Sequence, residues 1–368
     1  MTIQRRKLLK SVALGGAGAA AAAASTLAAP AIAQGMRELR MVTTWPKNFP
    51  GLGTGAQRLA DRITAATDGR LTVNLFAAGE LVGAFESFDA VAAGNADMWH
   101  GAAYYWQGKS KGFNFFTAVP FGLTAPENDA WMLHGGGLEL WHRLGADFNV
   151  INFPAGNTGV QMGGWFRQEV NSAEDFNGLR FRMPGLGGEV LRRLGAAVVA
   201  LPGGEIFPAL QQGAIDATEW VGPWNDLAFG FFRVANYYYH PGFHEPGATL
   251  ECGINLDVWN SLSTGDQALV RAACLAENNE MYAEFNARNV DALNTLTSEY
   301  GVNLRRFNDD IYAAFGAAAE EVLLETGAEG ELVTEIYESF INFRAKAMEW
   351  TGLAEQSYAN ARQSVLAG

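Results

Sequence analysis

Short apolar runs alternate with segments of helical periodicity in the first part of the chain. Leu59 and Ile63 lie at helical spacing in one such segment, and Gly69 follows as a stop signal. The pattern predicts strands at residues 39–44, 71–76 and 97–100, and helices at residues 56–66 and 85–93. This order predicts an α/β fold with a mainly parallel sheet. Ligands bind outside the carboxyl ends of such strands, so we expect a binding edge at the loops 45–55 and 101–106.

A second alternating region begins near Phe153 and gives way to helices after residue 263. Its pattern predicts helices at residues 188–194 and 206–212, and strands at residues 159–166, 178–184, 198–201, 214–221, 237–243 and 250–255. An uninterrupted periodic stretch predicts one long helix at residues 266–300, with two further helices at residues 308–325 and 331–350. A helix of that length, placed after two α/β units, can brace both units or reach a neighbouring molecule.

The first 33 residues have the features of an export signal. They combine a basic start, a weakly apolar middle rich in Ala and Gly, and the small-x-small sequence Ala31-Ile32-Ala33. The pair Arg5-Arg6 resembles the twin-arginine export signal, with an ordinary secretory signal as the alternative. The middle is too short and too weakly apolar for a membrane span. We therefore predict export by the twin-arginine route and a periplasmic mature chain.

Composition narrows the class of protein further. The chain has 368 residues, enough for about two domains, and a formal net charge of -13. A surface this acidic repels phosphate backbones, which argues against nucleic-acid binding. Two cysteines exclude a disulfide scaffold and a Cys-rich zinc module. For Cys252 and Cys274, buried free thiols are favoured over a disulfide.

The polar residues that stand out fall at predicted strand ends. Arg182 ends an apolar strand just before Pro184, and its planar guanidinium suits a bidentate grip on a carboxylate. The alternative is a salt bridge to a local acid. Glu219, Glu245 and Gln161 offer hard oxygen ligands, which together with backbone carbonyls suit sodium or calcium. On spacing alone, such carboxylates can equally be helix caps or ion pairs.

Two signatures of catalysis are missing from the sequence. It contains no Walker A loop and no H-E-x-x-H zinc motif, so His244 is expected to pack or to form hydrogen bonds. Glu219 and Glu245 could in principle perform the chemistry of a secreted hydrolase with two carboxylates. Arg182 beside them argues against this alternative, because a permanent cation lowers the pKa of the acid that such chemistry needs raised.

Five stretches resemble one known family. They are WPKNFPGLGTG at 45–55, RMPGLGGE at 182–189, LPGGEIF at 201–207, QGAIDATEWVGP at 212–223 and HEPG at 244–247. Over residues 37–350 the chain resembles the substrate-binding receptors of tripartite ATP-independent periplasmic (TRAP) transporters, in the branch for 2-oxo monocarboxylates such as pyruvate. The resemblance implies a non-enzymatic receptor that delivers its ligand to a TRAP membrane permease. It also implies a two-lobed, periplasmic-binding-protein-like α/β fold with a hinge, a long bracing helix and extra C-terminal helices.

The same resemblance implies the roles of individual residues. Arg182 corresponds to the arginine that clamps the substrate carboxylate. The expected substrate-binding residues are Arg182, Gln161, Trp220, Tyr104, Tyr105 and Glu219. The expected cation ligands are Gln161, Glu219, Glu245 and the backbone carbonyl of Trp220. Sodium is the expected ion, with calcium as the alternative. A receptor for lactate, another organic acid or a polyol remains an alternative within the binding class.

The predicted boundaries follow the two-lobed arrangement. Lobe I is expected at residues 34–156 and lobe II at 157–248. Residues 249–327 are expected to return to lobe I and to form the bracing helix, and residues 328–368 to form the C-terminal helix. That last helix either packs on its own lobe or contacts a second molecule. The resemblance favours a homodimer, because relatives of this branch exchange a C-terminal helix.

Overall fold

The computed structural model describes residues 36–366, so the predicted export signal at residues 1–33 lies outside the described part. The strands are β1 (Arg37–Thr43), β2 (Leu71–Phe76), β3 (Met98–Gly101), β4 (Val150–Asn157), β5 (Gly164–Phe166), β6 (Arg180–Arg182), β7 (Ala197–Val199), β8 (Ala217–Thr218), β9 (Tyr237–His240), β10 (Thr249–Asn255) and β11 (Asn303–Arg306). The α-helices are α1 (Leu52–Ala66), α2 (Ser87–Ala92), α3 (Ala125–His134), α4 (Gly137–Ala146), α5 (Gly185–Arg193), α6 (Gly203–Gln212), α7 (Pro223–Phe229), α8 (Leu256–Asn260), α9 (Thr264–Ser298), α10 (Asp309–Gly327), α11 (Glu331–Thr351) and α12 (Ser357–Leu366).

The strands form two mixed sheets. The first has the order β2-β1-β3-β10-β4, with β1 parallel to β3 and β10 antiparallel to both of its neighbours. The second has the order β11-β9-β5-β8-β6-β7, in which β6 is parallel to β7 and β8 while β5 is antiparallel to β8 and β9. The α/β class is as predicted, but the expectation of a mainly parallel sheet is wrong. Strand β10 returns from late in the chain and enters the first sheet in the opposite direction.

One predicted strand is mostly an ordered loop. Residues 159–166 have a strand-like composition, yet only Gly164–Phe166 pairs in the sheet. The backbone N–H of Gln161 instead donates to the carbonyl of Glu245 at 3.0 Å, and that of Met162 donates to Val221 at 3.1 Å. These bonds hold the loop that carries Gln161 against two other loops. The apolar pattern is correct about burial except at Val160, which is exposed, and it is wrong about pairing.

Helix α9 has the length and position expected of a brace. It has 35 residues and is capped at its N-terminus by Ser263, whose hydroxyl accepts a hydrogen bond from the N–H of Asp266. At 1.5 Å per residue it is about 50 Å long. It packs against β4 and α1 on one side and against α7, which follows β8, on another. Cys274 on this helix and Cys252 on β10 are both buried free thiols, as predicted.

The end of the chain is packed only along its first part. Helix α11 buries Val333, Ile336 and Phe340 against the rest of the molecule. Beyond residue 347 the large apolar side chains are exposed: Met348, Trp350, Leu353, Tyr358, Val365 and Leu366. Within residues 36–366, no helix combines the length and the apolar character needed to cross a membrane.

Candidate functional site

Two neighbouring strands of the second sheet end in a buried ion pair. Strands β6 and β8 are parallel, and Arg182 lies opposite Thr218, so Arg182 and Glu219 meet at the carboxyl edge. Arg182 is 1% exposed and Glu219 is fully buried. One guanidinium nitrogen of Arg182, Nη1, donates to Glu219 Oε1, and Nε donates to the carbonyl of Leu201 at 3.1 Å. The salt bridge that the sequence left open as an alternative is therefore present.

Half of this ion pair is free of hydrogen bonds. Arg182 Nη2 is buried and has no hydrogen-bond partner, and the same holds for Glu219 Oε2. A buried polar atom without a partner costs about 1–3 kcal/mol, and more when it is charged. Such a cost is tolerated where a ligand supplies the missing bond, so Arg182 can bind a carboxylate while it stays paired with Glu219.

The indole of Trp220 covers the guanidinium. The Cζ atom of Arg182 lies 5.2 Å from the centre of the Trp220 ring, within cation–π range. Trp220 is buried, and its Nε1–H has no partner. Trp45 contacts the Trp220 ring edge-on, with 6.2 Å between ring centres. These rings exclude water from the ion pair and add a second unused donor beside Arg182.

Two loops bring Gln161 and Glu245 to the same place. The amide nitrogen of Gln161 donates to Glu245 Oε2 at 2.7 Å and to Thr158 Oγ1 at 3.1 Å. Gln161 Oε1 is buried and has no partner. Ligand atoms of Glu219, Glu245 and His244 all lie within 4.8 Å of one another. Carboxylate and amide oxygens at this spacing fit a hard cation such as sodium or calcium.

His244 is a member of this cluster that the sequence analysis did not place there. Its ring is buried, neither ring nitrogen has a hydrogen bond, and Nε2 lies 3.5 Å from Glu219 Oε2. The start of α5 packs directly on it, because a Cβ atom added at Gly187 would lie 2.7 Å from the Cβ of His244. The glycine-rich run at the start of α5 therefore serves close packing. The one sequence signal for His244 was its position next to Glu245.

Electrostatics in the cluster favour a bound cation. Burial raises the pKa of Glu245 well above its usual range, and the nearby Glu219 raises it further. Burial likewise raises the pKa of Tyr105 to about 12 and that of Tyr104 well above its usual value, so both phenols stay neutral. Two crowded, buried carboxylates are stabilised when a metal ion or a proton compensates their charge.

A small cavity joins these groups. Its volume is about 10 Å³, close to the space that one water molecule needs, and its lining includes Trp45, Tyr104, Tyr105, Thr158, Gln161, Trp220 and Glu245. The sequence predicted Tyr104, Tyr105, Gln161, Trp220 and Glu245 as site residues, and the fold brings all five together beside Arg182 and Glu219. The sequence does not predict Trp45 or Thr158 as site residues.

Comparisons with known proteins match most of the chain. A model of the bacterial extracellular solute-binding protein family 7 matches residues 41–329. The chain is 40% identical over 360 residues to a monocarboxylate 2-oxoacid-binding periplasmic protein of Nostoc sp.. The aligned region covers 97% of this chain and 98% of the Nostoc protein.

Two solved structures are similar in both sequence and fold. A TRAP transporter solute-binding protein from Bordetella bronchiseptica is 36% identical with a TM-score of 0.88, and the alignment covers 90% of this chain and 98% of the Bordetella chain. That structure is a mixed-occupancy dimer with copurified calcium and picolinate. A TRAP periplasmic solute-binding protein from Pseudoalteromonas atlantica is 39% identical with a TM-score of 0.86, and the alignment covers 88% of this chain and 99% of the Pseudoalteromonas chain. That structure contains bound sodium and pyruvate.

Proposed function

This chain belongs to family 7 of the bacterial extracellular solute-binding proteins, and on that premise we propose that it is a periplasmic receptor for a pyruvate-like 2-oxo monocarboxylate, bound together with sodium or calcium. The resemblance to TRAP receptors and the periplasmic-binding-protein-like fold are confirmed by the family match and the structural neighbours. Members of this family are transport components rather than enzymes. One observation carries the ligand proposal: Arg182 Nη2 and Gln161 Oε1 are buried without partners beside one small cavity.

The unpartnered groups divide into two kinds. Arg182 Nη2 and Trp220 Nε1 are donors, and they suit a carboxylate oxygen of the substrate. Gln161, Glu219, Glu245 and the carbonyl of Trp220 are the residues that would hold the cation. A bound cation supplies positive charge that allows an organic anion to approach two glutamates. Counting formal charges for the two glutamates, Arg182 and a monocarboxylate, sodium leaves the site at -1 and calcium leaves it neutral.

A small ligand needs strong polar anchors because it offers few atoms for contact. The guanidinium of Arg182 supplies charge and direction, and the rings of Trp220 and Trp45 remove water from around it. Pyruvate matches the donor set of the site, and it is the ligand in one of the similar solved structures. Lactate and other small organic acids share the carboxylate, whereas a polyol has no charge for Arg182 to bind.

Isothermal titration with pyruvate, lactate and a polyol, in sodium, calcium or chelator, tests the proposal. We expect pyruvate to bind only when a cation is present and to form no product. In Arg182→Lys the lysine ammonium still supplies the positive charge that neutralises Glu219, but the Nη2 donor is lost. The Kd for pyruvate should therefore rise. A charge-assisted hydrogen bond of about 1.5–3 kcal/mol corresponds to roughly a 10- to 100-fold rise.

Arg180→Lys is a matched control for that experiment. Arg180 lies on the same strand, is exposed and pairs with Asp216, away from the cavity. This variant should bind pyruvate as the wild type does. Unchanged affinity in Arg182→Lys, or equal affinity for the polyol, would contradict the carboxylate receptor, and turnover of a substrate would favour the hydrolase.

We infer that the lobes follow the predicted boundaries at residues 34–156, 157–248, 249–327 and 328–368, with ligand-induced closure about a hinge. Strand β11, which lies within residues 249–327, is an exception, because it pairs with β9 in the second sheet instead of returning to the first. Support comes from the composition of the two sheets, because β1 to β4 lie in the first and β5 to β9 in the second. Strand β10 starts at Thr249 and returns to the first sheet. Small-angle scattering should show contraction when pyruvate and the cation are added, and an unchanged profile would count against closure.

We propose that the C-terminal segment mediates a homodimer. Trp350 and Leu353 are 69% and 72% exposed, and they belong to the apolar group between Met348 and Leu366. Burial of one such side chain is worth about 1.5–3 kcal/mol, so the group favours contact with a second copy. Light scattering should give a dimer for the mature chain and a monomer after truncation at residue 347. A monomeric mature chain would refute this assignment.

We also propose twin-arginine export and delivery to a TRAP permease. Arg5 and Arg6 support the export route. Arg5→Lys/Arg6→Lys should retain the precursor in the cytoplasm, and normal export of this variant would favour the general secretory route. For delivery, the matching permease should take up pyruvate only when the loaded receptor is added to reconstituted vesicles.

A further inference from the structure

Trp45 forms one wall of the cavity and is placed there by the first sheet. It follows β1, and β1 pairs with β3 so that Thr43 lies opposite His100. The Trp45 side chain is buried and lines the cavity together with Tyr105 and Trp220. The centres of these two rings lie 6.2 Å from the Trp45 ring, so the indole is in contact with aromatic neighbours on both sides.

The polar atom of the Trp45 side chain has a single partner. Its Nε1–H donates to His100 Nδ1 at 2.8 Å. The other nitrogen of His100, Nε2, lies 3.0 Å from the carbonyl oxygen of Ala155 on β4. A carbonyl oxygen can only accept, so Nε2 carries the hydrogen and Nδ1 has the lone pair that accepts from the indole. Both nitrogens of this buried imidazole are therefore satisfied by one tautomer.

His100 stays neutral at physiological pH, as this arrangement requires. It is fully buried, and burial lowers its pKa to about 4, although the hydrogen bond to Ala155 opposes this shift and the nearby Arg58 contributes to it. The backbone also fixes the residue, because its carbonyl accepts hydrogen bonds from Thr43 Oγ1 at 2.8 Å and from the N–H of Thr44 at 3.2 Å. His100 is therefore a rigidly held acceptor for the Trp45 indole N–H, and it lies outside the cavity lining.

We propose that His100 is a positioning residue that fixes the Trp45 indole as the end wall of the cavity and thereby limits the side-chain length of the 2-oxo acid that binds. This inference rests on the proposed function. If the indole rotated away, the Trp45 N–H and His100 Nδ1 would both be buried without partners. A longer ligand would therefore have to break this bond to make room. Trp45 also touches Trp220, which covers Arg182, so the wall and the carboxylate clamp are linked.

Two variants of His100 separate its two hydrogen bonds. In His100→Asn the side-chain oxygen falls near the position of Nδ1, so the acceptor for Trp45 is kept and the bond to Ala155 is lost. In His100→Gln the amide nitrogen reaches the position of Nε2, so the bond to Ala155 is kept and the acceptor for Trp45 is lost. Both variants replace the imidazole by a neutral amide and are comparably conservative.

The first readout is ligand selectivity. Titration with pyruvate and 2-oxoisovalerate gives the ratio of the two Kd values. We expect His100→Gln to reduce the preference for pyruvate at least tenfold and His100→Asn to keep it within about threefold of the wild type. In the Trp45→Phe background, which lacks the indole N–H, His100→Gln should cause no further change. An unchanged ratio in His100→Gln, or the opposite order of the two variants, would overturn the proposal.

The second readout does not depend on any ligand. The indole N–H of Trp45 is assigned in a ¹⁵N correlation spectrum as the signal missing from Trp45→Phe. We expect slow hydrogen exchange in the wild type and in His100→Asn, and exchange at least tenfold faster in His100→Gln. Equal exchange in all three proteins would overturn the positioning role even if no 2-oxo acid bound. Failure of the wild type to bind any 2-oxo acid would instead refute the proposed function.

Discussion

The buried acid Glu251 should make the stability of this protein depend on pH. It lies on β10 and accepts hydrogen bonds from the indole N–H groups of Trp99, at 2.8 Å, and Trp106, and from the amide of Asn152 at 2.7 Å. Trp106 ends the short 3₁₀ helix Ala103–Trp106, which carries Tyr104 and Tyr105 into the cavity. Glu251 therefore anchors part of the site from inside the core.

The size of the effect follows from the pKa values. Burial raises the pKa of Glu251 from 4.5 to about 7, and the hydrogen bonds from Trp106 and Trp99 oppose this rise only in part. Between pH 4.5 and about pH 7 the folded state binds more protons than the unfolded state. The contribution of Glu251 to the free energy of unfolding is therefore favourable at low pH and is lost as the pH rises through about 7. Linkage gives a loss of roughly 2–3 kcal/mol in the free energy of unfolding between pH 5 and pH 8.

Glu251→Gln removes this titration and keeps the packing. The amide oxygen of the new glutamine can accept hydrogen bonds from both indole N–H groups, and its amide nitrogen faces the side chain of Asn152. Asn152 Oδ1 has no hydrogen-bond partner, so a flip of the Asn152 amide turns this oxygen into the acceptor for the glutamine nitrogen. Urea unfolding from pH 5 to pH 8 should show the variant gaining roughly 2–3 kcal/mol relative to the wild type as the pH rises. The exposed Glu338→Gln serves as control and should give a constant difference. A difference for Glu251→Gln that does not change with pH would refute the reasoning.

Three further variants test the site, the brace and the core. Glu219→Gln removes a carboxylate from the cation cluster but leaves an oxygen for Arg182, so calcium affinity by isothermal titration should fall about tenfold or more. Arg58→Ala removes both hydrogen bonds from a guanidinium to the fully buried Glu277 of α9 and leaves Arg62 at 3.8 Å, which should lower the free energy of unfolding in urea by up to about 3–5 kcal/mol. Gly253→Ala places a Cβ atom 2.1 Å from the ring of the buried Trp99, and overpacking should cost at least about 1–3 kcal/mol in the same assay.

Each of these variants has a matched control in the same chain. Glu189→Gln lies on α5 and pairs with Arg192 on the surface, so calcium affinity should not change. Arg70→Ala removes an exposed partner of Asp266 and should leave the unfolding midpoint close to that of the wild type. Gly204→Ala meets no atom within 4 Å and should be tolerated. A control that changed as much as its test variant would remove the structural explanation for that site.

Local pattern was sufficient for the elements with strong periodicity or clear stops. The strand at residues 71–76 was predicted with its observed bounds, and the long helix at 266–300 and the helix at 331–350 differ from α9 and α11 by at most two residues at either end. The pattern missed the helices α3, α4, α7 and α8 and the strands β4 and β11. Helix α3 has little amphipathic character and starts with a Pro near its N-terminus, and it is separated from α4 by glycines.

The sequence by itself determined the class of fold, the family resemblance and which polar residues end buried strands, because periodicity and strand ends are properties of neighbouring residues. Only the tertiary structure decided which of those residues meet. The Arg182–Glu219 pair depends on the register of β6 and β8, and the Trp45–His100 bond joins residues 55 positions apart through the register of β1 and β3. Sheet register is set by packing over the whole core, and no local spacing encodes it.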